Sequence, residues 1–120
     1  MMPITSVNPA TGRTIRSYEP HDTQDIEIRL ARAVTAQAEF RATSCDERAA
    51  ILHRAADELE SRAPELARLM TLEMGKPIGA AEAEALKCAW VCRWYADNSA
   101  RLLADEVVAT NARHSFIRFE

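Results

Sequence analysis

Residues Glu73–Tyr95 read EMGKPIGAAEAEALKCAWVCRWY, and this stretch decides the fold. Gly75 can take the left-handed backbone that ends a helix, and Pro77 suits the first turn of the next one. A helix is therefore expected to stop at Gly75 and a long one to run from about Pro77 to Ala104. From Cys88 to Ala96 the second helix is apolar at nearly every position except Arg93. No single stripe is expected to face a core, and cover on all sides is expected instead. The other helices each offer one apolar face, so part of the protein that buries this helix is expected to lie outside these 120 residues.

Working back toward the N-terminus, Pro64 marks the start of a third helix whose apolar edge is Leu66, Leu69, Met70 and Met74. Ser44 with Glu47 three residues on forms a capping box, in which each side chain satisfies a free backbone N–H at a helix start. Ile51, Leu52, Ala55, Ala56 and Leu59 are the expected inward face of that second helix. Asp22 caps a first helix with Ile26, Leu30, Ala33, Val34 and Phe40 at helical spacing. Ile4–Val7 and Thr14–Tyr18 flank Asn8-Pro9-Ala10-Thr11-Gly12, which is turn chemistry, and so predict a hairpin. Past the long helix, Val107–Thr110 and Ser115–Phe119 read as strands around a turn at Asn111-Ala112. The sequence ends within that last expected strand, so further chain belonging to the same fold is expected.

The fold class is thus an α-rich α/β segment: a β-hairpin arm over 1–20, a helical region over 21–105 and strands from 106 to 120. Composition narrows the function classes. Apolar residues make up 48% of the chain, and no apolar run approaches the length of about 18 that spans a bilayer. The N-terminus lacks the pattern of a secretory signal, which predicts a cytoplasmic setting. A net charge of −3, from 18 acidic and 15 basic residues spread along the chain, argues against nucleic acid as a partner.

The candidates for chemistry are few. None of Gly12, Gly75 and Gly79 has the spacing of a phosphate-cradling loop. Cys88 and Cys92 lie four apart on one helix face but lack the second ligand pair of a closed metal site, so they read as buried structural thiols. Cys45 stands inside the capping box and is not read as a nucleophile. Glu82 and Glu84 point to different faces, which suits a solvated surface or a local ion pair. Lys76 complements the carbonyl end of the third helix. Trp90 and Trp94 read as core anchors.

Four motifs carry a resemblance: Asn8-Pro9-Ala10-Thr11-Gly12, Glu47-Arg48-Ala49-Ala50-Ile51-Leu52, Glu73-Met74-Gly75-Lys76-Pro77 followed by Glu84, and Trp94-Tyr95-Ala96. In this order and spacing they resemble the N-terminal quarter of NAD(P)-dependent aldehyde dehydrogenases. The run from Glu84 through Cys88 to Asp97 is most similar to the bacterial succinate-semialdehyde dehydrogenase branch. The resemblance implies the N-terminal part of a Rossmann-type fold in a homo-oligomer, with a small-molecule aldehyde as substrate and NAD or NADP as cofactor. It implies a reaction in which a thiolate attacks the carbonyl, hydride passes to the nicotinamide and water releases the thioester.

By the same resemblance the catalytic and cofactor-binding residues fall beyond Glu120. The chain alone is then expected to be inactive and to bind no cofactor. Lys87 and Val91 occupy positions that border the substrate entrance, and Ser6, Val7 and Glu73 occupy positions that hold a monovalent cation. A reading from another class stays open: a stand-alone helical interaction module without catalysis.

Overall fold

Turn and cap chemistry places the elements. In the structure, a computed structural model that describes residues 2–119, strands β1 (Ile4–Val7) and β2 (Thr14–Tyr18) form an antiparallel hairpin. Asn8 builds its turn. The side-chain Oδ1 accepts from the backbone N–H groups of Ala10 and Thr11, and the Asn8 N–H donates to the Arg13 carbonyl. Gly12 leaves the turn at φ 69°, which glycine adopts without a Cβ clash. The register slips between Ser6 and Val7, so β1 carries an irregularity there.

Helix α1 (Thr23–Arg41) starts on Asp22, whose Oδ1 accepts from the Asp25 N–H at 2.8 Å. Helix α2 (Cys45–Ser61) starts on the expected capping box: Ser44 Oγ accepts from the Glu47 N–H, and Glu47 Oε2 accepts from the Ser44 N–H at 2.7 Å. The Ser44 backbone bond, then its hydroxyl, hold the Glu47 carboxyl below the usual glutamate range. Helix α3 (Ala63–Met74) carries Pro64 in its first turn and ends on Gly75 at φ 70°. Helix α4 (Ile78–Leu102) follows directly, with Pro77 as its N-cap. Strands β3 (Glu106–Val107) and β4 (Phe116–Ile117) pair antiparallel but are shorter than the sequence suggests, with two residue pairs in the ladder. A bidentate bond from Arg118 to Asp105, at 3.0 and 2.6 Å, ties the two strands at their outer end.

Packing departs from the hydropathy reading. Helix α4 packs against α2 and α3 through Ala81, Ala85, Ala89 and Ala96, facing Ala56 on α2 and Ala63 and Ala67 on α3. Among the described residues every buried side chain is an alanine. Small side chains at i and i+4 let helix axes approach toward the close end of the 8–10 Å range. So α4 does have one inward stripe, and residue size rather than hydropathy draws it.

Several expected core positions therefore lie elsewhere. Trp90 is 61% exposed and Trp94 40% exposed, because both project away from the alanine seam; they are not core anchors among the described residues. Cys88 is exposed and Cys45 and Cys92 are half-buried, so the thiols are not buried ones. On α2, Ala56 is buried while Ile51 is exposed, and on α3 Leu69 and Met74 are exposed while the alanines turn inward.

Helix α1 buries no residue, and its stripe of Ile26, Leu30, Val34 and Phe40 stays exposed. It is joined to α2 by Arg48, which donates to Thr43 Oγ1 and to the carbonyls of Arg41 and Thr43 and lies 5.3 Å from the Phe40 ring centre. The radius of gyration is 20.9 Å, against about 14 Å for a compact domain of this length. The accessible surface is 9800 Å², against roughly 6500 Å² expected of a closed globule of this mass. The described residues do not close a core of their own.

Candidate functional site

The hairpin arm folds back onto the break between α3 and α4. Ser6 Oγ donates to Glu73 Oε1 at 2.8 Å, across 67 residues of sequence. Beside it, a Cβ placed on Gly75 would stand 3.1 Å from Pro9 Cγ, so the arm's turn rests against bare backbone. Gly75 is thus required twice, for its positive φ and for its missing side chain. Lys76 pairs with Glu84, the local ion pair expected of that carboxylate, and so latches the break to the first turns of α4.

Of the three residues expected to hold a cation, Ser6 and Glu73 are therefore in contact, and Val7 follows at the irregularity in β1. The contact runs through the Ser6 hydroxyl. The donor set is hard oxygen from hydroxyl, carboxylate and main chain, the chemistry of alkali and alkaline-earth ions. Among the described residues no three His, Cys, Asp or Glu side chains gather into a metal-binding group.

The other expected pair lies on α4. Lys87 is exposed and Val91 half-buried one turn on. Tyr95, a further turn along, is exposed and meets Trp94 edge to face at 5.1 Å between ring centres. Sequence reasoning assigned no role to Arg93. It donates to Asp57 at 2.7 Å and to Glu60 at 2.8 Å, tying α4 to α2. The bonds to Glu60 first, and to Asp57 next, hold its guanidinium more firmly protonated than usual. As the one charge in an otherwise apolar run, Arg93 carried the signal that could have found it. His53 Nε2 reaches Asp97 Oδ1 at 3.1 Å and adds a second link between the same helices. A cavity of about 790 Å³ between α1, α2 and the C-terminal end of α4 is lined by Phe40, Arg41, Cys45, Arg48 and Leu103, none of them an expected site residue.

Comparison with known proteins decides the family. The profile described as the aldehyde dehydrogenase family matches residues 2–120. This chain belongs to the aldehyde dehydrogenase family. It is 46% identical over 99% of its length to the "Probable succinate-semialdehyde dehydrogenase [NADP(+)]" of Synechocystis sp., of which it covers 26%. It is 47% identical over 88% of its length to "Succinate-semialdehyde dehydrogenase [NADP(+)] 1" of Mycobacterium bovis, covering 23% of that protein. The crystal structure of a succinic semialdehyde dehydrogenase from Streptococcus pyogenes in complex with NADP+ superposes with a TM-score of 0.87 at 26% identity, over 93% of this chain and 25% of that one.

The chain therefore spans about a quarter of the length of the curated relatives it matches. Its four aldehyde dehydrogenase motifs now have physical roles. The first is the hairpin turn, Glu47 and Arg48 are the α2 cap and the clamp on α1, Gly75 is the helix break against Pro9, and Trp94-Tyr95-Ala96 brings Ala96 to the seam.

Proposed function

We propose that this chain is the N-terminal segment of an enzyme that oxidises succinate semialdehyde to succinate. The overall reaction takes one aldehyde, one oxidised nicotinamide cofactor and one water to the carboxylate, the reduced cofactor and two protons. The single observation that carries this reading is the 46% identity, running through 99% of the chain, to a relative named for that aldehyde and for NADP. NADP rather than NAD is accordingly the proposed cofactor. Extended shape and unclosed core support a role as scaffold: the segment offers surface to the remainder of a protein about four times its length.

Within that reading, residues 1–20 are the arm, 21–105 the helical layer and 106–120 the start of strands that join copies of the enzyme into a homo-oligomer. Lys87 and Val91 border the substrate entrance. Ser6, Val7 and Glu73 hold a monovalent cation, a reading supported by the Ser6–Glu73 contact and by a donor set with a single negative charge. Among the described residues no helix is long and apolar enough to cross a membrane. A cytoplasmic setting is part of the proposed reading.

The test is an assay of the polypeptide in which this sequence occurs, purified from its source, with succinate semialdehyde and either NADP or NAD. Reduction of NADP with succinate as product is the expected outcome. A purified polypeptide that reduces neither cofactor with this aldehyde removes the reading and favours an interaction module.

A further inference from the structure

Helix α4 meets α2 through alanine methyl groups, with Ala89 and Ala56 both 0% exposed. Buried groups this small leave the seam without the large side chains that lock one helix into the holes of its neighbour. Packing alone therefore holds the rotation of α4 about its own axis weakly. The polar edge of the seam holds it more firmly. Arg93 donates to Asp57 Oδ1 at 2.7 Å and to Glu60 Oε2 at 2.8 Å, and its other terminal nitrogen donates to Glu60 Oε1. Those two carboxylates stand about one turn apart on α2. A guanidinium presents its donors in one rigid plane, so a fork of this kind fixes direction as well as distance.

Helix geometry carries that restraint to the far side of α4. At about 100° per residue, Arg93 stands roughly 40° round the axis from Ala89, beside the seam, while Lys87 and Val91 each stand roughly 160° from it. The helix is continuous over all four positions. We propose, on the reading of Lys87 and Val91 as the border of the substrate entrance, that Arg93 is a positioning residue: clamped on Asp57 and Glu60, it sets the rotation of α4 and thereby the aim of Lys87 and Val91. In this role Arg93 touches neither substrate nor cofactor. At a radius of about 5–6 Å, a turn of about 20° moves a side chain on the far face by about 2 Å. A misplacement of about 1 Å is enough to cost a reaction on the order of 100-fold.

The experiment compares the polypeptide in which this sequence occurs as wild type, R93K, R93M and R62M, with circular dichroism confirming that each is folded. R62M is the control, because it breaks the Arg62–Glu65 pair, which lies within one turn at the start of α3. R93M should raise KM for succinate semialdehyde about 10-fold while kcat and KM for NADP stay within about 2-fold. R93K, which keeps the charge and loses the fork, should fall between, and R62M should match wild type. Loss of folded protein alone would lower kcat and leave KM for the aldehyde where it was. A second readout needs no turnover: dipolar spectroscopy between nitroxide labels on R54C and K87C, with Cys45, Cys88 and Cys92 changed to serine. The distance should move or broaden by about 2 Å in R93M. Unchanged KM in a folded R93M, or an unchanged label distance, would overturn the proposal. Wild type that turns over no aldehyde removes the reaction instead, and the label distance then decides the clamp by itself.

Discussion

Ser6 Oγ lies 2.8 Å from Glu73 Oε1, and this one bond joins the N-terminal hairpin to the end of α3. Ser6→Ala or Glu73→Gln should each destabilise the chain by about 0.5–1.5 kcal/mol. Because both remove the same contact, the double variant should cost less than the sum of the two. Urea unfolding of the four proteins measures the coupling. Melting temperature in potassium chloride against choline chloride adds the cation test. Wild type should be stabilised by potassium and Glu73→Gln should not, and equal behaviour in both salts would remove the cation assignment.

Gly75→Ala should cost about 1–2 kcal/mol for the Cβ at positive φ, and the 3.1 Å approach of Pro9 Cγ should add to that. Pro9→Ala in the same chain should recover the steric part and leave the conformational part. Chemical denaturation of the two single variants and the double variant separates them. Full additivity would show that the arm does not rest on Gly75.

The alanine seam reverses the ranking that hydropathy suggests for α4. Ala89 is 0% exposed, so Ala89→Leu should overpack the junction with α2 and destabilise the isolated chain by about 1–3 kcal/mol. Trp90→Ala, one residue away and facing outward, should fall within about 0.5 kcal/mol of wild type in the same background. The opposite ranking in thermal melts would put the tryptophan in the core after all.

The α2 capping box should give stability a visible acid limb. Hydrogen bonds from Ser44 depress the Glu47 carboxyl, so their stabilisation is complete above the ordinary glutamate pKa of about 4.3. It is lost as pH falls through the lower folded value, where the carboxylate takes up its proton. Glu47→Gln should flatten that limb between about pH 5 and 3, and Ser44→Ala should lower stability by about 1 kcal/mol at neutral pH. Unfolding midpoints measured across this range should show both effects. An unchanged acid limb in Glu47→Gln would count against the box.

How much of this was legible in the sequence depends on the kind of signal. Local backbone chemistry was readable. Asn8 and Gly12 at the hairpin, Asp22 and Ser44 at helix starts, and Gly75 at a stop each act on groups a few residues away, and each stands where expected. Packing was less legible, because Trp90 outranks Ala89 in hydropathy while the close approach of α4 to α2 selects for the smaller side chain. The inward stripe of α1 was read from its spacing, yet nothing in the sequence says whether its cover lies within the described residues. Ser6 and Glu73 were paired through family resemblance, since spacing alone gives no reason for positions 67 apart to meet. Arg93 was noted as an exception in an apolar run, but its partners Asp57 and Glu60 lie on another helix and only the fold brings them together.

The measurement that bears most directly on the central claim compares two samples under one protocol. The first is the purified chain of 120 residues, and the second is the longer polypeptide proposed to carry the same sequence at its N-terminus. Each is given succinate semialdehyde and NADP, and the absorbance of reduced cofactor is followed against a boiled control. The longer polypeptide should turn over while the chain of 120 residues stays at background and shows no NADP binding by calorimetry. Turnover or micromolar NADP binding by the short chain alone would contradict a scaffold whose chemistry lies outside it.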